Sequence, residues 1–216
     1  MLETTPSINY QELYNTSNIM LDRIAYDLVL YLDGKGYPAI WAPRDAYADL
    51  KYLIDHAMSS FSHVIAGYLA GLGTIGWNHT LLTEEYGPRV RLVSVLTAAE
   101  LPPDEVMTRD LCRHCDLCRN CCPVGALTGD RKAPCAVMDM NACTVRHQEL
   151  KASGNWPCGI CTKVCPVGRD RIRYRRTDLN LYRQELQGNP EDHPAIRAWD
   201  HVRAFGSNIT KGEPTL

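Results

Sequence analysis

Cys112-Arg113-His114-Cys115-Asp116-Leu117-Cys118-Arg119-Asn120-Cys121-Cys122-Pro123 is the stretch on which the reading of this chain turns. Cys112, Cys115, Cys118 and Cys122 follow the pattern C-x2-C-x2-C-x3-C-P, a spacing that delivers thiolates to the separate irons of a [4Fe–4S] cubane. Three cysteines at intervals of three wrap one cubane. The fourth points away, and the proline after it stops the loop continuing as it began. A second group, Cys158-x2-Cys161-x3-Cys165-Pro166, repeats most of the first, and Cys-Pro-Val-Gly occurs at both Cys122–Gly125 and Cys165–Gly168. The repeat predicts two clusters and a protein that moves electrons.

In two-cluster ferredoxins the fourth thiolate of each run serves the other cluster. Applied here, Cys112, Cys115, Cys118 and Cys165 form one set, and Cys122, Cys158 and Cys161 belong to the other. A complete second repeat would carry cysteine at position 155, where Asn155 stands. The open place falls to Cys121, Cys135 or Cys143. Cys121 adjoins Cys122, and adjacent cysteines rarely face one cluster together. Cys135 sits between Pro134 and Ala136 in a turn-like segment. Cys143 is nearer the second group, so spacing favours it, although spacing alone does not give connectivity. Zinc is the nearest rival, because Cys-x2-Cys pairs also build zinc sites. A third cysteine at the same interval and a Cys-Pro ending, seen twice, suit a cubane better. Disulfides would need an oxidising compartment. The opening Met1-Leu2-Glu3-Thr4-Thr5-Pro6 lacks the basic and apolar regions of a leader, so the expected location is a reducing cytoplasm.

The 216 residues, 45% of them hydrophobic, suffice for one domain or two small ones. A net charge of −2 creates no overall field toward nucleic acid or anionic lipid. From His56 to Thr83 there is no Asp, Glu, Lys or Arg. Serines and glycines interrupt that stretch, which therefore predicts buried interior rather than a membrane span, and a candidate floor for a cofactor pocket.

Periodicity predicts a helix over 15–33, with Leu21, Ile24, Ala25, Leu28, Val29 and Leu32 on its apolar face. A strand over 37–43, helices over 47–58 and 61–70, and strands over 80–83 and 90–97 follow, the last read as a buried strand from Leu92 to Leu96. Leu101-Pro102-Pro103-Asp104 marks a boundary. A final helix over 194–205 places Ile196, Trp199 and Val202 on one side. The fold class expected is α+β: an α/β layer over 1–104, a two-cluster ferredoxin-like module over 105–168, and a basic segment with a C-terminal helix over 169–216. Arg169, Arg171, Arg173, Arg175 and Arg176 read as a solvated edge or as a docking patch for an acidic partner or RNA.

Gly71-Leu72-Gly73-Thr74-Ile75-Gly76 matches the dinucleotide fingerprint in letters but not in context, since a helix precedes it and strands follow. A tight turn with close backbone approach is the expectation. His63 reads as a satisfied core histidine, or as a ligand or proton donor beside a cofactor. It is the one catalytic candidate. His114 lies within the first loop, either exposed or hydrogen-bonded to cluster sulfur.

Ala70–Asn78, Leu81-Leu82, the strand ending Val95-Leu96-Thr97 and the two cysteine groups, taken in that order, resemble the epoxyqueuosine reductases and shorter iron–sulfur proteins similar to them. The resemblance runs over positions 15 to 168. It implies a reductase-like core akin to that of reductive dehalogenases, with cobalamin above the clusters and Gly71, Gly73, Gly76 and Asn78 as cofactor-binding positions. It also implies that Cys143 completes the set of Cys122, Cys158 and Cys161, leaving Cys121 and Cys135 over. Two departures stand out: Met58–His63 carries no carboxylate where that family has an acidic proton donor, and Trp77 stands in place of a lysine. The activity implied is an iron–sulfur oxidoreductase or electron-transfer protein. Its partners would be a redox protein and a small-molecule or corrinoid substrate. A cobalamin-dependent reductase and an RNA-binding protein with structural clusters are the alternatives.

Overall fold

Ser7 starts the first helix seven residues before the periodic stretch does, because its hydroxyl accepts a hydrogen bond from the Tyr10 backbone N–H at 3.1 Å. The computed structural model describes residues 5–45, 47–185, 188–189 and 192–208, and in it this helix, α1, spans Ile8–Gly34. Its buried stripe is Tyr14, Asn18, Ala25 and Val29. Ile24 and Leu28, expected on the inner face, are 59% and 44% exposed. The reason is the partner. α1 lies against a ribbon of only two strands, β1 (Ala39–Ala42) and β4 (Ser94–Thr97), which covers a narrow strip.

The ribbon is antiparallel, with Ala39 opposite Thr97 and Ala42 opposite Ser94. The expected buried strand over 90–97 is thus half as long and only half-buried, with Leu96 exposed opposite Ile40. With a single neighbouring strand, one face stays uncovered. Between these strands stand α2 (Leu50–His56), capped by Asp49, and α3 (His63–Leu69), capped by Ser62. α2 packs on α5 (Met140–Ala152). The glycine motif leads from α3 into a small hairpin, β2 (Thr74–Ile75) and β3 (Leu81–Leu82). A Cβ on Gly73 would collide with the Leu82 carbonyl, so the close approach expected of these glycines is real. The charge-free stretch is interior mainly from Gly73 onward, with Gly67 buried before it. Ile65, Leu69 and Leu72 are exposed, because α3 is a surface helix that buries one side alone.

The cysteine-rich part holds α4 (Leu117–Asn120), the ribbon β5 (Leu127–Thr128) with β6 (Val137–Met138), α5, and α6 (Ile160–Val164). Then come α7 (Asp170–Arg173), α8 (Asn180–Arg183) and α9 (Pro194–Phe205). One apolar core joins Leu117, Cys121, Ile160, Val164, Leu179, Tyr182 and Trp199. A second joins Trp77, Leu127 and Ala136, with Cys112, Cys118 and Cys161 packed on it. Trp77, from the glycine motif, therefore sits inside the cysteine-rich region. α9 docks as its pattern predicts, with Ile196 and Trp199 buried and Trp199 tilted against Tyr182 at 4.9 Å.

Asn155, at the missing-cysteine position, is fully buried. Its side-chain carbonyl accepts from the Ser207 N–H at 2.8 Å, and its amide donates to Ser153 O at 2.8 Å and Asn208 Oδ1 at 3.0 Å. The residue pins the segment after α9. The architecture is α+β, with helices and small antiparallel ribbons. Among the described residues no helix is long and apolar enough to cross a membrane.

Candidate metal centre and adjoining cavity

Two groups of thiols come together from distant parts of the chain. Cys112, Cys115, Cys118 and Cys165 line one small cavity, beside Trp77, Asn78 and Pro166. Cys122, Cys143, Cys158 and Cys161 lie within electrostatic reach of one another. Cys118 senses Cys161 as well, so the two groups adjoin. All ten cysteines are free thiols. Burial first, and then neighbouring thiolate charge, pushes Cys118, Cys143 and Cys161 up to about 12. Cys158 and Cys165 are pushed up to about 11, again chiefly by burial. These thiols keep their protons at neutral pH until a metal displaces them.

Local structure explains the placement. The first loop turns through left-handed residues His114 (φ 45°) and Asp116 (φ 61°) into the single turn of α4. The second turns at Gly159 (φ 61°) into α6. Cys143 lies in the first turn of α5, behind its Asp139 cap. The two remaining cysteines go elsewhere. Cys121 is a core residue whose thiol donates to Tyr182 O at 3.4 Å. Cys135 neighbours Cys112 and Asp110.

Buried cations gather round Cys165 and Cys158, and no motif announced them. Arg89, with 4% of its side chain exposed, pairs with Asp170 at 2.5 Å and donates to the carbonyls of Cys165 at 3.0 Å and Val167 at 2.5 Å. Arg171 donates to the Cys165 carbonyl at 2.8 Å and to the Lys163 carbonyl. Arg146 lies near enough to Cys158 to favour its thiolate. His147, one helical turn after Cys143, is pushed down to about 4 by burial and then by Arg146. The arginine run is therefore not one basic face: Arg171 is buried, and Arg169 pairs with Glu85 at 2.8 Å.

A cavity of about 930 Å³ opens between the N-terminal layer and the second cysteine group. Tyr10, Tyr14, Phe61, His63, Thr162 and Lys163 are among its walls. Tyr10 is close enough to Cys158 and Cys161 to feel their charge. Tyr14 accepts from Arg91 at 2.9 Å and donates to Asp45 at 3.2 Å. Burial pushes it up to about 12. His63 has both ring nitrogens engaged, Nε2 with the Pro43 carbonyl and Nδ1 with Ser94 Oγ, each at 2.9 Å. Because a carbonyl only accepts, Nε2 carries the proton. His114 holds the first loop, with Nδ1 at 2.7 Å from the Arg131 carbonyl and Nε2 at 3.1 Å from Asp110. Gly71, Gly73 and Gly76 border neither cavity. Asn78 lines the small one, and its amide donates to the Cys161 carbonyl at 3.3 Å.

No protein-family model matches the chain. It is 26% identical over 179 residues to a tetrachloroethene reductive dehalogenase of Dehalobacter restrictus, covering 76% of this chain and 30% of that protein. It is 28% identical over 170 residues to an epoxyqueuosine reductase of Listeria monocytogenes, covering 72% and 41%. The chain is an epoxyqueuosine-reductase-like relative of both. A shorter match, 34% over 106 residues, joins it to the epoxyqueuosine reductase of Synechococcus sp., covering 45% of this chain and 31% of that protein. The chain thus matches between 30% and 41% of the length of these reductases. Trp77, set where the resemblance leads one to expect lysine, is 2% exposed and donates its indole N–H to Asp130 O at 3.2 Å. It is a packing residue.

Proposed function

We propose that this chain is an iron–sulfur oxidoreductase whose large cavity receives the electron acceptor. The observation that carries the reading is the assembly of eight thiols into two adjoining groups of four. Cys112, Cys115, Cys118 and Cys165 would hold one [4Fe–4S] cluster, and Cys122, Cys143, Cys158 and Cys161 the other. Such clusters supply one-electron transfer. The donor chemistry fits: each set is four cysteine thiols, the ligands that such a cluster takes. Thiolates sharing one zinc would stand about 3.8 Å apart, given Zn–S bonds near 2.3 Å. A cubane gives each thiolate its own iron and spreads them.

The protein's own groups have definable work. Arg89, Arg171 and Arg146 offset the negative charge that two sets of thiolates would bring into a buried region. Tyr14 keeps its proton at neutral pH and faces the cavity, so it can supply one to a group reduced there. Phe61 and Leu81 give that cavity an apolar side. A cobalamin-dependent reductase is the second reading. It is favoured by a cavity near the upper end of the roughly 300–1,000 Å³ usual for ligand sites.

Two experiments test these readings. For the ligand sets, iron and sulfide are counted in protein made without oxygen: Cys143→Ser is expected to lose about half of both and Cys135→Ser none, four irons belonging to each cubane. Equal losses would overturn the assignment. For the second reading, anaerobic titration with cobalamin is expected to shift its visible spectrum and leave corrinoid bound after desalting. An unchanged spectrum with no retained corrinoid removes it.

A further inference from the structure

We propose that an acidic electron-donor protein docks on the face over the first cysteine loop, through Arg113, Arg119 and Lys132. This rests on the electron-transfer reading above and adds the entry point and the kind of partner.

The two thiol groups differ in what covers them. Behind the second group the chain closes on itself. Thr5 is fully buried, donates from its hydroxyl to the Cys158 carbonyl at 3.3 Å, and takes the Lys163 ammonium on its own carbonyl at 3.2 Å. Tyr10 and the large cavity occupy another side of that group. The first group has an outward side. Arg113 sits between Cys112 and Cys115, borders their cavity and is exposed. Arg119 follows Cys118 directly and is exposed. Lys132 is exposed too, next to Arg131, which lines the same cavity and whose carbonyl holds His114.

Charge pairing then sets the sign of this face. Two acids nearby have cationic or imidazole partners, Asp110 with His114 at 3.1 Å and Asp116 with Arg131 at 3.2 Å, while Asp130 accepts from the Lys132 backbone N–H at 2.9 Å and keeps its charge. Among the described residues Arg113, Arg119 and Lys132 make no ion pair. Three cations outside any ion pair therefore outnumber the unpaired acids on and beside the first cysteine loop and leave it net positive, on a chain whose net charge is −2. An acidic carrier would be steered to this face.

The test uses a reduced acidic flavodoxin as probe and the anaerobically purified full chain. Stopped-flow bleaching of the visible absorption reads the electron transfer. The second-order rate is expected to fall about tenfold as salt rises from about 50 to 500 mM, because screening shortens the reach of steering. The charge-reversed Arg113→Glu, Arg119→Glu, Lys132→Glu variant should be about tenfold slower at low salt and insensitive to it. An Arg119→Ala, Lys132→Ala double variant with an unchanged melting curve should fall between the two. A wild-type rate indifferent to salt, or equal rates for all three proteins, overturns the proposal. So does a chain that dithionite bleaches but flavodoxin does not. Absence of bleaching by dithionite sinks the electron-transfer reading itself. Should the triple change abolish a salt-sensitive RNA gel shift while flavodoxin rates stay equal, the face belongs to nucleic acid and the donor proposal is wrong.

Discussion

The Cys-Pro-Val-Gly turn at Cys122–Gly125 lies at the surface, with Val124 exposed and open space where Gly125 would carry a Cβ. The same four residues at Cys165–Gly168 are enclosed. Val167 is buried, and a Cβ on Gly168 would strike Asp170, Arg89 and the Gly87 backbone. Arg89 and Arg171 both hold the Cys165 carbonyl, and Arg169 and Asp170 return their N–H groups to Glu84 and Glu85. The comparison teaches that a repeated ligand motif carries its thiols but not its surroundings. Those come from Arg89, a residue outside the repeat, which ties the N-terminal layer to the second turn.

The largest effect that could break this comparison is expected from Arg89→Ala. It strands Asp170 as a buried charge and should cost about 3–5 kcal/mol of stability, measured by chemical denaturation. A loss under about 1 kcal/mol would mean that the second turn is no better anchored than the first. Next comes the glycine pair. Gly168→Ala, at φ 119° and overpacked, should cost about 2–4 kcal/mol, whereas Gly125→Ala, at φ 60° in open space, should cost about 1 kcal/mol. Similar costs for both would undo the contrast. The last expectation is a pH dependence confined to alkaline solution. In the cluster-free protein, Cys158, Cys161 and Cys165 have values raised above that of an unfolded thiol, near 8.5. A raised value favours the protonated, folded form. The stabilising contribution is therefore complete below about pH 8.5 and disappears as pH climbs through 11 to 12. Alkaline melting curves check this, and cluster-loaded protein should not show that step.

How much was legible beforehand varied with the range of the interaction. α9 runs over Pro194–Phe205 as its pattern predicts, because an amphipathic helix needs only a surface to lie on. α1 was foreseen too short, since its first two turns are held by distant partners: Tyr14 meets Trp156 edge-on at 4.4 Å, and Gln11 takes the Trp156 N–H at 3.0 Å. The strand ending at Thr97 was foreseen as buried because its apolar run resembles a central strand, and nothing local says how many neighbours a strand will find. At the site, the cysteines and the glycine turn were readable. The cation set around Cys165 was not, because Gly87-Pro88-Arg89 has no signature of its own.

What the sequence determined by itself is local. Thiol spacing of two and three residues, prolines after the last cysteine of each group, and helical periodicity in α9 all act over a few bonds, where backbone geometry leaves little choice. What the tertiary structure decided is everything that required distant residues to meet. Asn155 became a pin for the segment after α9, Trp77 a packing residue among cysteines, and Arg89 the partner of Asp170. Burial and charge pairing depend on which surfaces come together, and that is a property of the whole folded chain rather than of any stretch within it.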